Sequence, residues 1–329
     1  MFRVNVESSG DFKRLLGTKD SSALVFRVRN KKLSMLVAST EVIVVYAVKD
    51  EVDAEDCSFG VNREAFGKLY RSGDFAVDVQ GNEVCVYFYG VNDALTHVAQ
   101  FKYLQDVESL YGDLLGVLGA GGVAVNVGAL LPLAKLALAQ QVSLQVRKGV
   151  ATVMLSNNVK VFKPVGVNAD FSVRYTHLRH LLNNQVVWFK TQQYLCAKQG
   201  NLVYVCATDR LVDCDSEYYM VHGGYNLVVK MRMLLRLKPL RELQASHFDF
   251  DTMGIDLNKR QLDVRGDVNC QVLLEITDLK KTSDFTQDVL NLPKSILNVL
   301  GVFGDQVMLT HRKHFMVMSD TNGVEVYFS

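Results

Sequence analysis

A unit that recurs about six times governs what this 329-residue chain can fold into. Each copy opens on a short apolar strand, continues into a helix of roughly ten residues and ends in two or three alternating strands. The opening strands read Phe2-Arg3-Val4-Asn5-Val6, Cys57-Ser58-Phe59-Gly60-Val61, Val123-Ala124-Val125-Asn126-Val127, Phe171-Ser172-Val173, Asn226-Leu227-Val228-Val229 and Phe285-Thr286-Gln287-Asp288-Val289. The spacing predicts helices beginning near residues 8, 62, 130, 175, 236 and 292, in steps of 54, 68, 45, 61 and 56 residues. Three of the four prolines, Pro132, Pro239 and Pro293, fall at those starts. The first helical turn tolerates proline because its missing N–H has no partner there anyway. A period of this length marks an array of supersecondary units.

Within the units, Leu24–Arg29 and Leu33–Val37 flank Asn30-Lys31-Lys32, a hairpin turn by composition. Val84–Tyr89 follows Gln80-Gly81-Asn82-Glu83 in the same way. Val186–Lys190, Leu202–Cys206, Phe248–Asp251 and Val324–Phe328 read as further strands, rich in valine and aromatic residues that suit a pleated surface. The fold class expected is α+β. Paired units give three tandem domains, 1–107, 108–222 and 223–329, with joints over Asp106–Gly122 and Asp213–Tyr225.

Bulk composition excludes more than it assigns. Hydrophobic residues make up 49% of the chain, enough for a sizeable core and too many for wholesale disorder. The net charge of +1 says nothing about partners. The six cysteines form no CxxC pair and read as reduced core residues; Cys206, Cys214 and His222 suit no familiar zinc spacing. No secretory signal pattern opens the sequence, which favours a cytoplasmic protein. Leu114–Ala134 carries no charge over 21 residues, but its glycines, Asn126 and Pro132 make a poor membrane helix.

Chemistry is sparse. Asp249 and Asp251 alternate on an expected strand and face one side, a weak Mg²⁺ arrangement without a third ligand. His311-Arg312-Lys313-His314 reads as a solvated hairpin tip. Gly119-Ala120-Gly121-Gly122 precedes a strand, the wrong order for a phosphate cradle. The expectation is a non-enzymatic protein with no cofactor and no metal.

Charge is segregated by element. Ten-residue windows over the six helices contain Lys13, Arg14, Arg63, Lys68, Arg71, Lys135, Arg179, Arg236, Lys238, Arg241 and Lys294, against only Asp11, Glu64 and Glu242. Totals of 36 basic and 35 acidic residues leave the remainder of the chain with 25 and 32. Helix propensity does not explain the bias, because glutamate is as good a helix former as lysine. A positive face shared by repeated helices suits a polyanion bound without sequence readout.

At this point the chain resembles the bacterial-type DNA polymerase sliding clamps, through its six units, three expected domains and basic helices. Ser295–Leu300, Gln306–Thr310 and a final strand resemble the closing repeat of that family, and Ala207-Thr208-Asp209-Arg210-Leu211 is similar to a segment of its partner-binding cleft. The family's glycine and histidine between Thr-Asp and Arg-Leu are absent, and the segment lies in the fourth unit instead of the third. The near-neutral charge also departs from an acidic family and suggests a divergent member such as a phage would carry. The resemblance implies a homodimeric ring of antiparallel sheets, with helices lining a pore for double-stranded DNA. It implies docking of a replicative DNA polymerase and a clamp loader through short peptides, at Thr208, Arg210, Leu211, Val326, Tyr327 and Phe328. The alternatives are an open, monomeric processivity factor and a tandem β-sheet scaffold that never meets DNA.

Overall fold

A computed structural model describes residues 1–328 except 19–20, 40, 105–121, 157, 183–186, 192, 215, 224–227, 248 and 268. All six repeats are present, each as a lead strand, a helix and three strands. The first is β1 (Phe2–Val4), α1 (Ser9–Leu16), β2 (Ala23–Arg29), β3 (Lys32–Ala38) and β4 (Ile43–Glu51). The second is β5 (Cys57–Asn62), α2 (Arg63–Leu69), β6 (Phe75–Gln80), β7 (Glu83–Tyr89) and β8 (Leu95–Lys102). The third is β9 (Val123–Val125), α3 (Val127–Ala139), β10 (Leu144–Arg147), β11 (Val150–Ser156) and β12 (Val159–Pro164). The fourth is β13 (Phe171–Val173), α4 (Tyr175–Leu181), β14 (Val187–Thr191), β15 (Tyr194–Gln199) and β16 (Leu202–Ala207). A further short helix, α5 (Ser216–His222), precedes the fifth repeat: β17 (Val229–Arg236), α6 (Lys238–Ala245), β18 (Thr252–Asp256), β19 (Gln261–Arg265) and β20 (Cys270–Leu273). An extra strand, β21 (Ile276–Lys281), leads to the sixth: β22 (Val289–Leu292), a 3₁₀ helix over Lys294–Val302, β23 (Gln306–Arg312), β24 (Met316–Ser319) and β25 (Glu325–Phe328).

Local chemistry sets these boundaries. Ser8, Asn62 and Asn126 each accept a backbone N–H three residues on, from Asp11, Ala65 and Ala129, and so start α1, α2 and α3. The β2–β3 turn places Asn30 and Lys31 at φ +50° and +61°, the pair of left-handed residues that a two-residue hairpin requires.

Two pairing rules organise the strands. Lead strands are exchanged: β1 pairs with β6 of the second repeat and β5 with β2 of the first. The same exchange joins β9 to β14 and β13 to β10, then β17 to β23 and β22 to β18. Third strands meet one another: β4 pairs with β16 and β12 with β25, both antiparallel. Four antiparallel sheets result, in the orders β1-β6-β7-β8, β5-β2-β3-β4-β16-β15-β14-β9, β13-β10-β11-β12-β25-β24-β23-β17-β21 and β20-β19-β18-β22.

The chain divides into two compact units, Met1–Val125 with Thr176–Thr208, and Asn126–Tyr175 with Asp209–Ser329. In the first, Phe12 of α1 and Phe66 of α2 are fully buried and meet edge to face at 6.1 Å, among Phe26, Phe59 and Phe75. Each such ring contributes about 2–3 kcal/mol by leaving water. In the second, Leu240 of α6 and Ile296, Val299 and Leu300 of the 3₁₀ helix are fully buried.

Several details depart from the sequence-based expectations. The third helix starts at Val127 under its Asn126 cap, so Pro132 lies inside it instead of at its start. The segment Phe285–Asp288 is not strand, because Thr282 and Asp284 close a turn there, with Phe285 N–H donating to the Thr282 carbonyl at 3.1 Å; the lead strand begins at Val289. Asp249–Asp251 is irregular and β18 begins at Thr252; Phe248 lies outside the described residues. Helix α5 occupies the stretch read as a joint. Most of the other joint, Asp106–Gly122, lies outside the described residues, as does much of the uncharged run that begins at Leu114. No helix among the described residues is long and apolar enough to cross a membrane.

Candidate nucleic-acid interface

The eleven basic residues read as DNA contacts separate into two classes once their neighbours are seen. Lys13 on α1, Arg71 just past α2 and Lys135 on α3 are exposed, and among the described residues none has an acid within ion-pair distance. Arg14, Lys68 and Lys238 are also exposed but sit one helical turn from Asp11, Glu64 and Glu242, at 3.4, 2.7 and 3.9 Å. Such exposed pairs are weak and leave the cation free to exchange partners.

The remaining five have partners from outside their own helical turn. Arg63 is half-buried: its Nε donates to the Ser21 carbonyl at 2.8 Å and its Nη1 to the Leu16 carbonyl, the last residue of α1. Arg241 does the same for the 3₁₀ helix. Its Nη2 donates to the carbonyls of Phe303 and Gly304, both at 2.8 Å, and of Leu300 at 3.3 Å, while Nη1 pairs with Asp305 at 3.0 Å. Arg179 of α4 is bound to Glu41, which His180 also approaches at 3.0 Å. The hydrogen bond from His180, followed by that from Arg179, holds the Glu41 carboxyl below its ordinary range against the effect of burial. Arg236 is the last residue of strand β17, not a helical residue, and pairs with Glu275 at 3.0 Å. Lys294 donates to Asp249 at 2.6 Å and to the Phe250 carbonyl at 3.0 Å, with its ammonium 4.8 Å from the centre of the Phe250 ring. That contact uses one of the two aspartates weighed as a Mg²⁺ pair. Among the described residues no group of three or more His, Cys, Asp or Glu could hold a metal.

Arg236, Lys238 and Arg241 line a groove of about 850 Å³ in the second unit, together with Glu242, Glu275 and Asp305. Acids match bases there, so the groove does not single out an anion.

The residues read as a partner cleft are differently placed. Thr208 belongs to the first unit, where its hydroxyl donates to the Gln193 carbonyl at 2.9 Å. Arg210 is exposed and Leu211 half-buried, just after a bridge between Ser172 and Asp209 in the second unit. Val326, Tyr327 and Phe328 are buried in β25, at the middle of the nine-stranded sheet. The Tyr327 ring lies 5.0 Å from Phe162 and 6.4 Å from Tyr218 of α5.

Sequence reasoning missed two features. One is the capping of helix ends by side chains from elsewhere, which Arg63 and Arg241 share with Trp188, the only tryptophan. Fully buried, Trp188 donates its indole N–H to the Leu181 carbonyl at 2.8 Å, at the end of α4. The other is α5 itself, whose apolar residues Tyr218, Tyr219, Met220 and Val221 form one unbroken run and display no helical period.

The sequence matches no family model and no curated protein. Solved structures do match, over essentially the whole chain. The DNA polymerase III subunit beta of Pseudomonas aeruginosa superposes with a TM-score of 0.63 at 14% identity, covering 100% of this chain and 99% of that one. The DNA polymerase sliding clamp of Bacillus subtilis gives 0.65 at 10% identity, covering 99% and 97%. The beta subunit from DNA polymerase of Streptococcus pyogenes gives 0.64 at 10%, covering 100% and 98%. The chain has the sliding-clamp fold. The likeness in organisation holds over the full length of the chain, while the sequence is far diverged.

Proposed function

We propose that this chain is a sliding clamp, a cytoplasmic processivity factor that performs no chemistry. Two copies close into a homodimeric ring around double-stranded DNA and dock a replicative DNA polymerase and a clamp loader. The exchange of lead strands, which ties the repeats into successive pairs, supports a reading of three domains per chain, 1–107, 108–222 and 223–329.

The observation that carries this reading is the fate of the third strands. Four of the six are joined in antiparallel seams, four residue pairs long, at β4–β16 and β12–β25. The other two, β8 and β20, have no outer partner among the described strands. Both edges are open and carry exposed apolar residues: Leu95 is 55% exposed, Val98 50% and Leu273 78%. Strand β20 has four residues, the length of the existing seams. Unprotected edges of this kind pair with other chains. If β8 of one copy takes β20 of another by the same rule, two copies supply two such seams and the arrangement closes.

Lys13, Arg71 and Lys135 then attract phosphate without reading bases, which leaves the duplex free to move through the ring. Three measurements test the reading. Solution mass should be that of a dimer. Cysteines introduced at Thr96, Val98 or Gln100 should cross-link to Cys270 of the second copy. The protein should remain on nicked circular DNA and leave once the circle is cut; equal loss from both forms overturns the ring.

A further inference from the structure

One face of the nine-stranded sheet carries an aromatic slot that the chain fills with its own helix. Val150 of β11, Phe162 of β12, Val317 of β24 and Tyr327 of β25 form its walls, and Tyr218 of α5, only 7% exposed, sits in it. The Tyr218 ring lies 5.3 Å from Phe162. Polar contacts hold α5 along its length: Glu217 accepts from Lys160 at 2.6 Å, His222 lies 2.9 Å from Glu325, and the Lys148 ammonium lies 5.5 Å from the centre of the Tyr219 ring.

Three observations mark α5 as separable from what it covers. It has seven residues, too few to persist as a helix without tertiary contacts. Strands β12, β25 and β24 hydrogen-bond to one another, and α5 contributes nothing to that ladder. Glu325 also accepts from the Tyr327 hydroxyl at 2.7 Å, so it keeps a partner when His222 leaves. Lys160 is different. Its side chain is only 15% exposed and Glu217 is its acid partner, so an occupant without an acid would strand a half-buried charge.

We infer that α5 is a strap occupying a docking slot, and that the slot's external ligand is a short peptide in which an acidic residue directly precedes an aromatic one. The peptide reproduces the Glu217–Tyr218 pair: its acid takes Lys160 and its ring displaces Tyr218. Partner engagement at this face is then regulated by the chain itself, through release of α5. The inference rests on the docking part of the proposed function and assigns that docking a chemistry and a gate.

The test uses a fluorescent peptide of sequence Ser-Glu-Tyr-Tyr-Met-Val-His with the full chain. Tyr218→Ala should bind it at least tenfold more tightly than the unmodified protein, because the internal competitor has lost its anchor; equal or weaker binding overturns the inference. Adding Lys160→Glu should weaken binding about tenfold, and a peptide with lysine in place of its glutamate should recover it. Indifference to that charge swap overturns the assigned chemistry. If Tyr218→Ala fails to fold, hydrogen exchange on the unmodified chain decides instead. The amides of α5 should exchange at least a hundredfold faster than those of β25, and equal protection sinks the strap. None of these measurements involves DNA, so failure of the ring on nicked circles and failure of the strap are separately visible.

Discussion

Arg241 and Phe303 are joined by a 2.8 Å hydrogen bond from guanidinium to carbonyl, reaching from α6 to the end of the 3₁₀ helix that packs against it. Arg63 makes the equivalent reach from α2 to the Leu16 carbonyl at the end of α1. In both repeat pairs an arginine from one helix satisfies the carbonyls its neighbour leaves free. These two residues stand among the basic helical residues by sequence, yet their charge is committed to the fold.

Arg63→Ala and Arg241→Ala should therefore each lower unfolding stability by about 1.5–3 kcal/mol, the range for hydrogen bonds that involve a charged group. Lysine should rescue little, since a single ammonium cannot reproduce a fork that spans several carbonyls. Chemical denaturation of the two variants checks this.

The opposite behaviour is expected of Lys13, Arg71 and Lys135. Changing all three to alanine should leave Tm unaltered and shorten retention on nicked circular DNA. The slope of log affinity against log salt should shrink by about 0.9 for each phosphate that is no longer neutralised. An unchanged slope would remove these side chains from the interface.

Val98→Lys and Leu273→Lys should each convert a dimer to monomers in sedimentation while leaving the fold intact. Both side chains are exposed at an outer strand, so the substitution disturbs no core packing within the chain. It does place a charge in the proposed seam. Persistence of the dimer in both variants would argue that the edges lie elsewhere than at the subunit interface.

Asp284 offers a pH test. Its carboxyl is lowered from 3.8 to about 2 by the hydrogen bond from Lys230, with a second from Thr282. Because the folded value is the lower one, the stabilisation is fully present above 3.8 and is lost as pH falls through about 2. Lys230→Met should return the Asp284 titration toward 3.8, as followed by NMR of the carboxyl carbon.

What the sequence disclosed was whatever short-range chemistry determines. Ser8, Asn62 and Asn126 mark helix starts because a cap acts three residues away, and Asn30-Lys31 marks a hairpin because its turn is two residues long. Periodicity located all six repeats. What it hid depends on partners distant in the chain. Arg63 meets Leu16 across 47 positions and Arg241 meets Phe303 across 62, so a cap and a phosphate ligand look alike in one dimension. Pro132 misled for the opposite reason, as the nearby Asn126 cap overrode the preference of proline for a first turn. The segment Phe285–Asp288 reads as a strand, but the turn closed by the Phe285 N–H on the Thr282 carbonyl bends the chain there.

The exchange of lead strands has a bearing on how such a chain can change length. A repeat removed alone takes away the edge of its neighbour's sheet and leaves that neighbour's own first strand with nothing to lie against. Viable shortenings or extensions therefore come two repeats at a time, and a truncation that keeps an odd number should aggregate through its orphaned edge. The heritable module of this architecture is the pair.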